Sequence, residues 1–278
     1  LSYSSPQSAT AGSAITALNP TVTGTVASYA VSPALPAGLA LNTTTGVISG
    51  TPTAPTAPGT YTVTATNAGG NTTFGLQLQV NGTGTFMDSI VSGLGFTSGN
   101  VTGNTDANGR FTYQAGSNIT FRVGGIPIGT VAPAPLLTPL DLVANATSTH
   151  LTVQNIVRFL MLLDSDGDPA NGITISEALR GRAANWTAVD FGTTDLATAL
   201  ATVILDTQVD GTQRALPSGA AAVLHFDNTF RCMFSGYFRG TYAGDDNGRF
   251  AFTIAPGHGG MAGAAYSVPE DELILLGF

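Results

Sequence analysis

Residues 59–80 read GTYTVTATNAGGNTTFGLQLQV. Tyr61, Val63 and Ala65 fall on one side of a period-two pattern, Asn67-Ala-Gly-Gly70 offers a turn, and residues 72–80 return as a second run. A period of two bounded by turn residues marks a strand with one buried face. Moving outward, residues 14–18 lead into Asn19-Pro20 and residues 26–31 alternate small and apolar side chains. Pro33, Pro36 and Gly38 make a stiff turn, and residues 46–50 form another short run. Nothing in residues 1–82 repeats with a helical period. The pattern predicts a β-sandwich of roughly seven short strands.

Only 9% of the 278 residues are charged, against 43% hydrophobic, and the balance is largely Thr, Ala, Gly and Ser. An ordinary globular chain carries about a quarter charged residues. Every basic residue is Arg. The absence of Lys excludes a Schiff base, a P-loop and a Lys–Asn isopeptide crosslink. A net charge of −8 argues against nucleic acid as a partner, because phosphates need cationic neutralisation, and suits divalent cations. Cys232 stands alone, so no internal disulfide or Cys-based metal site forms; it reads as a small buried hydrophobe or an intermolecular thiol. No apolar run reaches the ~18–20 residues of a membrane span. No signal peptide is read, so export would require Leu1 to be a processed start.

Gly82-Thr-Gly84 reads as a linker. Residues 85–143 predict a second small β-sandwich. In it, residues 100–105 should pair with 110–114 across Asp106-Ala-Asn-Gly109, and 118–123 with 126–131 around Gly124-Gly125. Residues 150–231 are helical. Val153, Ile156, Val157, Leu160 and Leu163 share one face. Ser176 opens a second helix and Asp195 caps a third that buries Leu196, Leu200, Val203 and Ile204. Pro217 suits the first position of a fourth. Residues 232–278 predict a C-terminal antiparallel β unit of four strands with an open edge.

Between the first two helices lies the densest set of hard oxygen donors. Asp164, Asp166 and Asp168 occupy alternate positions of an EF-hand-like loop, with Asn171, the carbonyl of Ile173 and Glu177 completing a candidate Ca2+ site. Pro169 replaces the usual glycine, and the closing acid comes two residues late. The alternative is an Asp-rich helix end in which Asp168 and Ser176 serve as turn and cap residues. His150, His225 and His258 are scattered and read as surface or packed residues. Trp186 reads as core rather than as a carbohydrate platform.

The wording SYAVSPALPAGLALNTTTGVISGTPT (residues 28–53) followed by TYTVTATNAGGNTTFGLQLQV (60–80) resembles the bacterial putative-Ig repeat of large surface and secreted proteins. That resemblance implies an Ig-like spacer or adhesive module and carries no catalytic or binding residues. Residues 98–129 resemble small carboxypeptidase-regulatory-like sandwiches of surface proteins, and residues 138–175 resemble exported bacterial lipoproteins of unassigned function. Together these imply an extracellular or cell-surface structural or adhesive protein. It is expected to be non-enzymatic and to meet homo-oligomer or filament neighbours along strand edges. A second reading is a glycan- or polymer-binding module of a lipid-anchored protein. A third, an accessory or hydrolase domain, requires a pocket holding His225 or His258 beside a carboxylate.

Overall fold

The computed structural model describes residues 1–208, 214–234, 236–242, 248–254, 261–267 and 272–277, with side chains through residue 229. The turn at 243–247, His258 and the side chain of Cys232 lie outside the described residues. The chain is mainly β with a helical insert.

The first unit holds strands β1 (Gln7–Thr10), β2 (Ser28–Ser32), β3 (Leu39–Leu41), β4 (Ile48–Gly50), β5 (Thr56–Asn67) and β6 (Gly70–Phe86). One sheet runs β1-β6-β5-β2, with β1 parallel to β6 and the other pairs antiparallel. The β3–β4 hairpin faces it, tied to the preceding segment by a bridge between Leu18 and Ile48. Tyr29, Ile48, Tyr61, Val63, Leu76 and Leu78 fill the space between the layers. Tyr61, Val63 and Ala65 are all buried, as the alternation predicts. This is the Ig-like β-sandwich.

Beyond it come β7 (Val91–Ser92), β8 (Gly95–Ser98), β9 (Val101–Asn104), β10 (Arg110–Tyr113), β11 (Ile119–Val123), β12 (Ile126–Val131) and β13 (Leu136–Leu137). A sheet in the order β12-β11-β8-β9 faces β10 and β13, which pair with the far end of β6. Phe86, Phe111 and Phe121 meet in the middle, with Phe86 and Phe121 centroids 4.7 Å apart and Phe111 and Phe121 in an edge-to-face contact at 5.2 Å. This is the second small sandwich.

Two sequence expectations change here. Gly82 and Gly84 are not linker residues, because β6 runs through them for 17 residues and carries both sandwiches. A Cβ on Gly82 would overlap the Tyr113 ring, and one on Gly84 would overlap the Phe111 ring and the Ala134 carbonyl. The glycines give clearance to aromatic rings, and Gly82 and Gly84 pair in register with Tyr113 and Phe111. The hairpin expected around Asn108-Gly109 also does not form, since β9 pairs with β8 and β10 crosses to β6. The Asp106 carboxylate accepts from the amides of Asn108 and Arg110. Gly109, at φ 69°, passes its carbonyl to the Phe86 amide at 2.8 Å. The turn therefore carries the chain from one layer to the other.

The helical insert contains α1 (Leu151–Leu162), the two-residue strand β14 (Ile173–Thr174), α2 (Glu177–Ala183), α3 (Leu196–Ala199), α4 (Ala201–Asp206) and α5 (Gly219–Phe234). The predicted α1 face is buried, and so are Leu196, Leu200 and Val203. Ser176 and Asp195 cap their helices through the amides of Leu179 and Thr198. The fourth helix begins two residues after Pro217. Ser218 accepts from the Ala221 amide, and the Pro217 carbonyl is taken by Arg158 Nε at 2.6 Å. Ile156, Phe159, Leu160 and Trp186 share one core with Phe86, Phe121 and Ile126. Residues of the expected units 85–143 and 150–231 thus pack into one continuous core. Four antiparallel strands, β15 (Gly236–Tyr242), β16 (Gly248–Ile254), β17 (Met261–Ser267) and β18 (Glu272–Gly277), close the chain as a meander.

Replacing Gly84 by Ala should lower stability by about 1–3 kcal/mol, the usual cost of overfilling a packed interior. Gly181 on α2 has open space around it, so Gly181→Ala should raise stability by about 0.5–1 kcal/mol. Urea unfolding of both variants checks the pair; a neutral Gly84→Ala would restore the linker reading.

Candidate functional site

The acidic loop ends where β14 pairs in parallel with β7, and its start is tied to the same strand by the Ser165 amide on the Thr174 carbonyl at 3.0 Å. Asp164, at the end of α1, is 1% exposed. Its Oδ1 accepts from the Thr174 amide at 2.9 Å, and its Oδ2 has no partner. Asp166 is at the surface, accepting from the Asp168 amide at 2.9 Å and from Asn171 Nδ2 at 3.0 Å. Asp168 accepts from the Ala170 amide and opens a short 3-10 turn. Burial raises the Asp164 carboxyl, partly offset by the Thr174 amide. The Asn171 amide leads the donors that hold Asp166 down to about 2.

The structure therefore gathers Asp164, Asp166 and Asn171. Asp168 turns to its own loop as a cap, as the alternative reading expects. Ile173 is tied into the β7 ladder, its amide donating to the Ile90 carbonyl at 2.8 Å. Glu177 stands exposed as the first residue of α2. Among the described residues no three His, Cys, Asp or Glu side chains are gathered closely enough to hold an ion between them.

Next to the loop, His225 lines a cavity beside a carboxylate, the arrangement that the third reading requires, although the sequence does not single out Asp88 as that carboxylate. Asp88, in the turn after β6, is wholly buried. Its Oδ1 stands 3.3 Å from Nε2 of His225 on α5, but out of line for a hydrogen bond, so both atoms lack one. Beside them the Ser89 amide and hydroxyl meet the Thr229 hydroxyl at 3.2 and 3.3 Å. His225 and Thr229 are one helical turn apart, so α5 presents both to residues 88–89. A cavity of about 370 Å³ opens here, bounded by Ile90, Gly172, His225 and Thr229. Burial pushes the Asp88 carboxyl up, offset in part by His225. Burial pulls His225 down, but the Asp88 carboxylate more than reverses this and the imidazole ends raised. The arrangement amounts to a buried ionisable pair, carboxylate beside imidazole, where α5 meets the end of β6. The Ser89 hydroxyl is engaged with Thr229 rather than with the imidazole, so no nucleophile–base contact is drawn. The helical stripe Ala222, His225, Phe226, Thr229 was the available signal: a His on a buried stripe needs an acid partner.

His150 caps α1, its Nδ1 accepting from the Thr152 amide at 3.3 Å. Trp186 is 6% exposed, with its indole N–H on Asp206 at 2.6 Å and its ring edge-on to Phe159. It is a core residue with a satisfied polar end and offers no face to a sugar.

Residues 1–81 match the family described as Putative Ig domain, in agreement with the Ig-like fold of that segment. No curated protein and no solved structure matches the chain. Among the described residues no helix is long and apolar enough to cross a membrane.

The His225 shift has a definite sign. Above the ordinary imidazole value of 6.5, the folded chain keeps a proton that the unfolded chain has released. Stability is therefore full below that value and falls as pH rises through the raised folded value. Asp88 acts in the same sense from the ordinary carboxyl value of 3.8 upward. The thermal midpoint should fall as pH rises above about 6.5, and His225→Gln should flatten that slope. An unchanged slope in the variant would assign the titration to other groups.

Proposed function

We propose that this chain is a non-enzymatic structural or adhesive segment of a bacterial surface protein, working outside the cell and meeting its neighbours along sheet edges. The Ig-like domain at residues 1–81 and the low-charge, Lys-free composition support it. The observation that carries it is the C-terminal meander in the order β15-β16-β17-β18. Among the described residues, β15 and β18 have no strand on their outer sides. The last strand reads ELILLG, nearly uncharged. An edge of this kind offers unpaired backbone groups to a neighbour unless charge, a bulge or a cover blocks it. Light scattering on the purified chain over a concentration series, with electron microscopy of the same material, should show self-association. That association should disappear when Leu275→Lys places a charge on β18. A chain that stays monomeric at high concentration with Ca2+ present removes the strand-edge reading.

The acidic loop enters this reading as a stiffener. A Ca2+ ion would draw on Asp164 and Asp166, with Asn171, backbone carbonyls and water completing the six to eight oxygens it requires. The orphaned, buried Oδ2 of Asp164 supports this, since buried carboxylate oxygens ordinarily have a partner. Ca2+ should raise the thermal midpoint, EDTA should reverse the gain, and Asp166→Ala should abolish the response. A midpoint indifferent to all three removes the ion.

A further inference from the structure

The outer face of the second sandwich carries a cleft of about 430 Å³ that plays no part in the strand-edge reading. Its floor follows from register. Asn104, Gly95 and Arg122 lie side by side on β9, β8 and β11, and two residues further along so do Thr102, Thr97 and Thr120. Side chains of alternate residues share a face, so these two rows point the same way. Gly95, at the centre, leaves the floor bare between Arg122 on one wall and Asn104 on the other. A Cβ there would come 3.3 Å from Arg122 Cγ and 3.6 Å from Asn104 Oδ1.

A second guanidinium enters from α2. Arg180 reaches the same cleft, held by a hydrogen bond from Nη1 to the Ile175 carbonyl. It fits because residue 93 is glycine, whose missing Cβ would stand 2.5 Å from that nitrogen. Arg122 is held in turn by Nε on the Gly124 carbonyl at 2.7 Å. Each arginine thus spends one N–H on fixing itself and keeps the rest of its fork for another acceptor. Among the described residues neither has a carboxylate partner, in a chain where 17 acidic side chains face 9 basic ones. Two cations lining one cleft without a counter-charge repel each other. A bound anion relieves that repulsion.

We propose that this cleft binds an acidic sugar, with its carboxylate clamped by Arg122 and Arg180 and its hydroxyls met by Asn104, Thr97 and Thr102. A charged, planar acceptor suits two guanidinium forks, and a bare glycine in a strand interior is where a ligand approaches the backbone closely. The cleft opens on the face of the sheet. There the backbone of β8 is already paired with β9 and β11, so recognition falls to side chains and an added peptide strand has no ladder to join.

Calorimetric titration of the full chain with trigalacturonic acid tests the assignment, with its methyl ester, inorganic phosphate and a short acidic peptide as the other arms. The acid should bind, weaken with added salt, and lose about tenfold or more in affinity in Arg122→Gln and in Arg180→Gln, as loss of a charge-assisted hydrogen bond implies. Arg122 is exposed, so that variant should keep the wild-type melting point and decides the matter even if Arg180→Gln does not fold. Equal binding of the ester, wild-type affinity in Arg122→Gln, or no binding of the acid overturns the proposal. Arginine-dependent binding of the peptide or of phosphate without the sugar acid overturns the sugar assignment. Self-association is read separately, so strand-edge assembly can fail while the cleft stands, and the reverse.

Discussion

The structure depends on a steric constraint within one strand. Strand β6 enters as the inner strand of the Ig-like sheet and leaves as a wall of the second sandwich. It does both because residues 82 and 84 have no side chain. The rings of Tyr113 and Phe111 lie over that bare backbone, and Phe111 then meets Phe96 and Phe121. A methyl group at either glycine would push an aromatic ring out of a core that includes Phe86, Phe159 and Leu160. From Phe86 the chain passes directly to Asp88, Ser89 and β7, so the acidic loop and α5 are also referenced to the end of this strand.

Local rules were readable wherever the partner lies close in sequence. The stripe on α1, the caps at Ser176 and Asp195, and the β11–β12 turn all came from residues within a few positions of each other. Period-two alternation likewise placed Tyr61, Val63 and Ala65 in the core. What failed was the meaning of glycine and of Asn-Gly. Gly-Thr-Gly has the composition of a flexible joint, and only the rings opposite reveal it as clearance. Asn108-Gly109 has the chemistry of a hairpin, but Asp106 and the Phe86 amide turn the chain into another sheet. The acidic loop was visible as a set of ligands, yet the backbone amides claim Asp168, and helix α2 carries Glu177 to the surface. That His225 needs an acid is legible from its helical stripe, but not that the acid is Asp88, because the two segments meet across about 140 positions, as their neighbours Ser89 and Thr229 do.

Polar groups are distributed unevenly between faces of the second unit. Inside, Asn155 satisfies its neighbours fully. Its amide donates to the carbonyls of Phe191 and Thr193, and its oxygen accepts from Arg158. Elsewhere in the interior, Asp88 and Asp164 keep orphaned oxygens, which is costly in a low-dielectric interior. The outer face keeps unpaired arginines instead. Unmet acceptors beneath and unmet donors above are where this fold has electrostatic capacity left for something else.

The parallel pairing of β1 with β6 has a mechanical consequence. A pull on the chain ahead of Gln7 and a pull on β6 beyond Phe86 act in opposite directions along two neighbouring strands. The bonds from Gln7–Leu78 to Thr10–Asn81 then lie across the load and share it in shear, rather than opening one after another like a zip. Since β6 continues without a break into the next sandwich, tension entering the Ig-like sheet passes to the aromatic core through covalent backbone and not through a hinge. A protein suspended by its N-terminal end would in this way carry force through its first two sandwiches as a single strut.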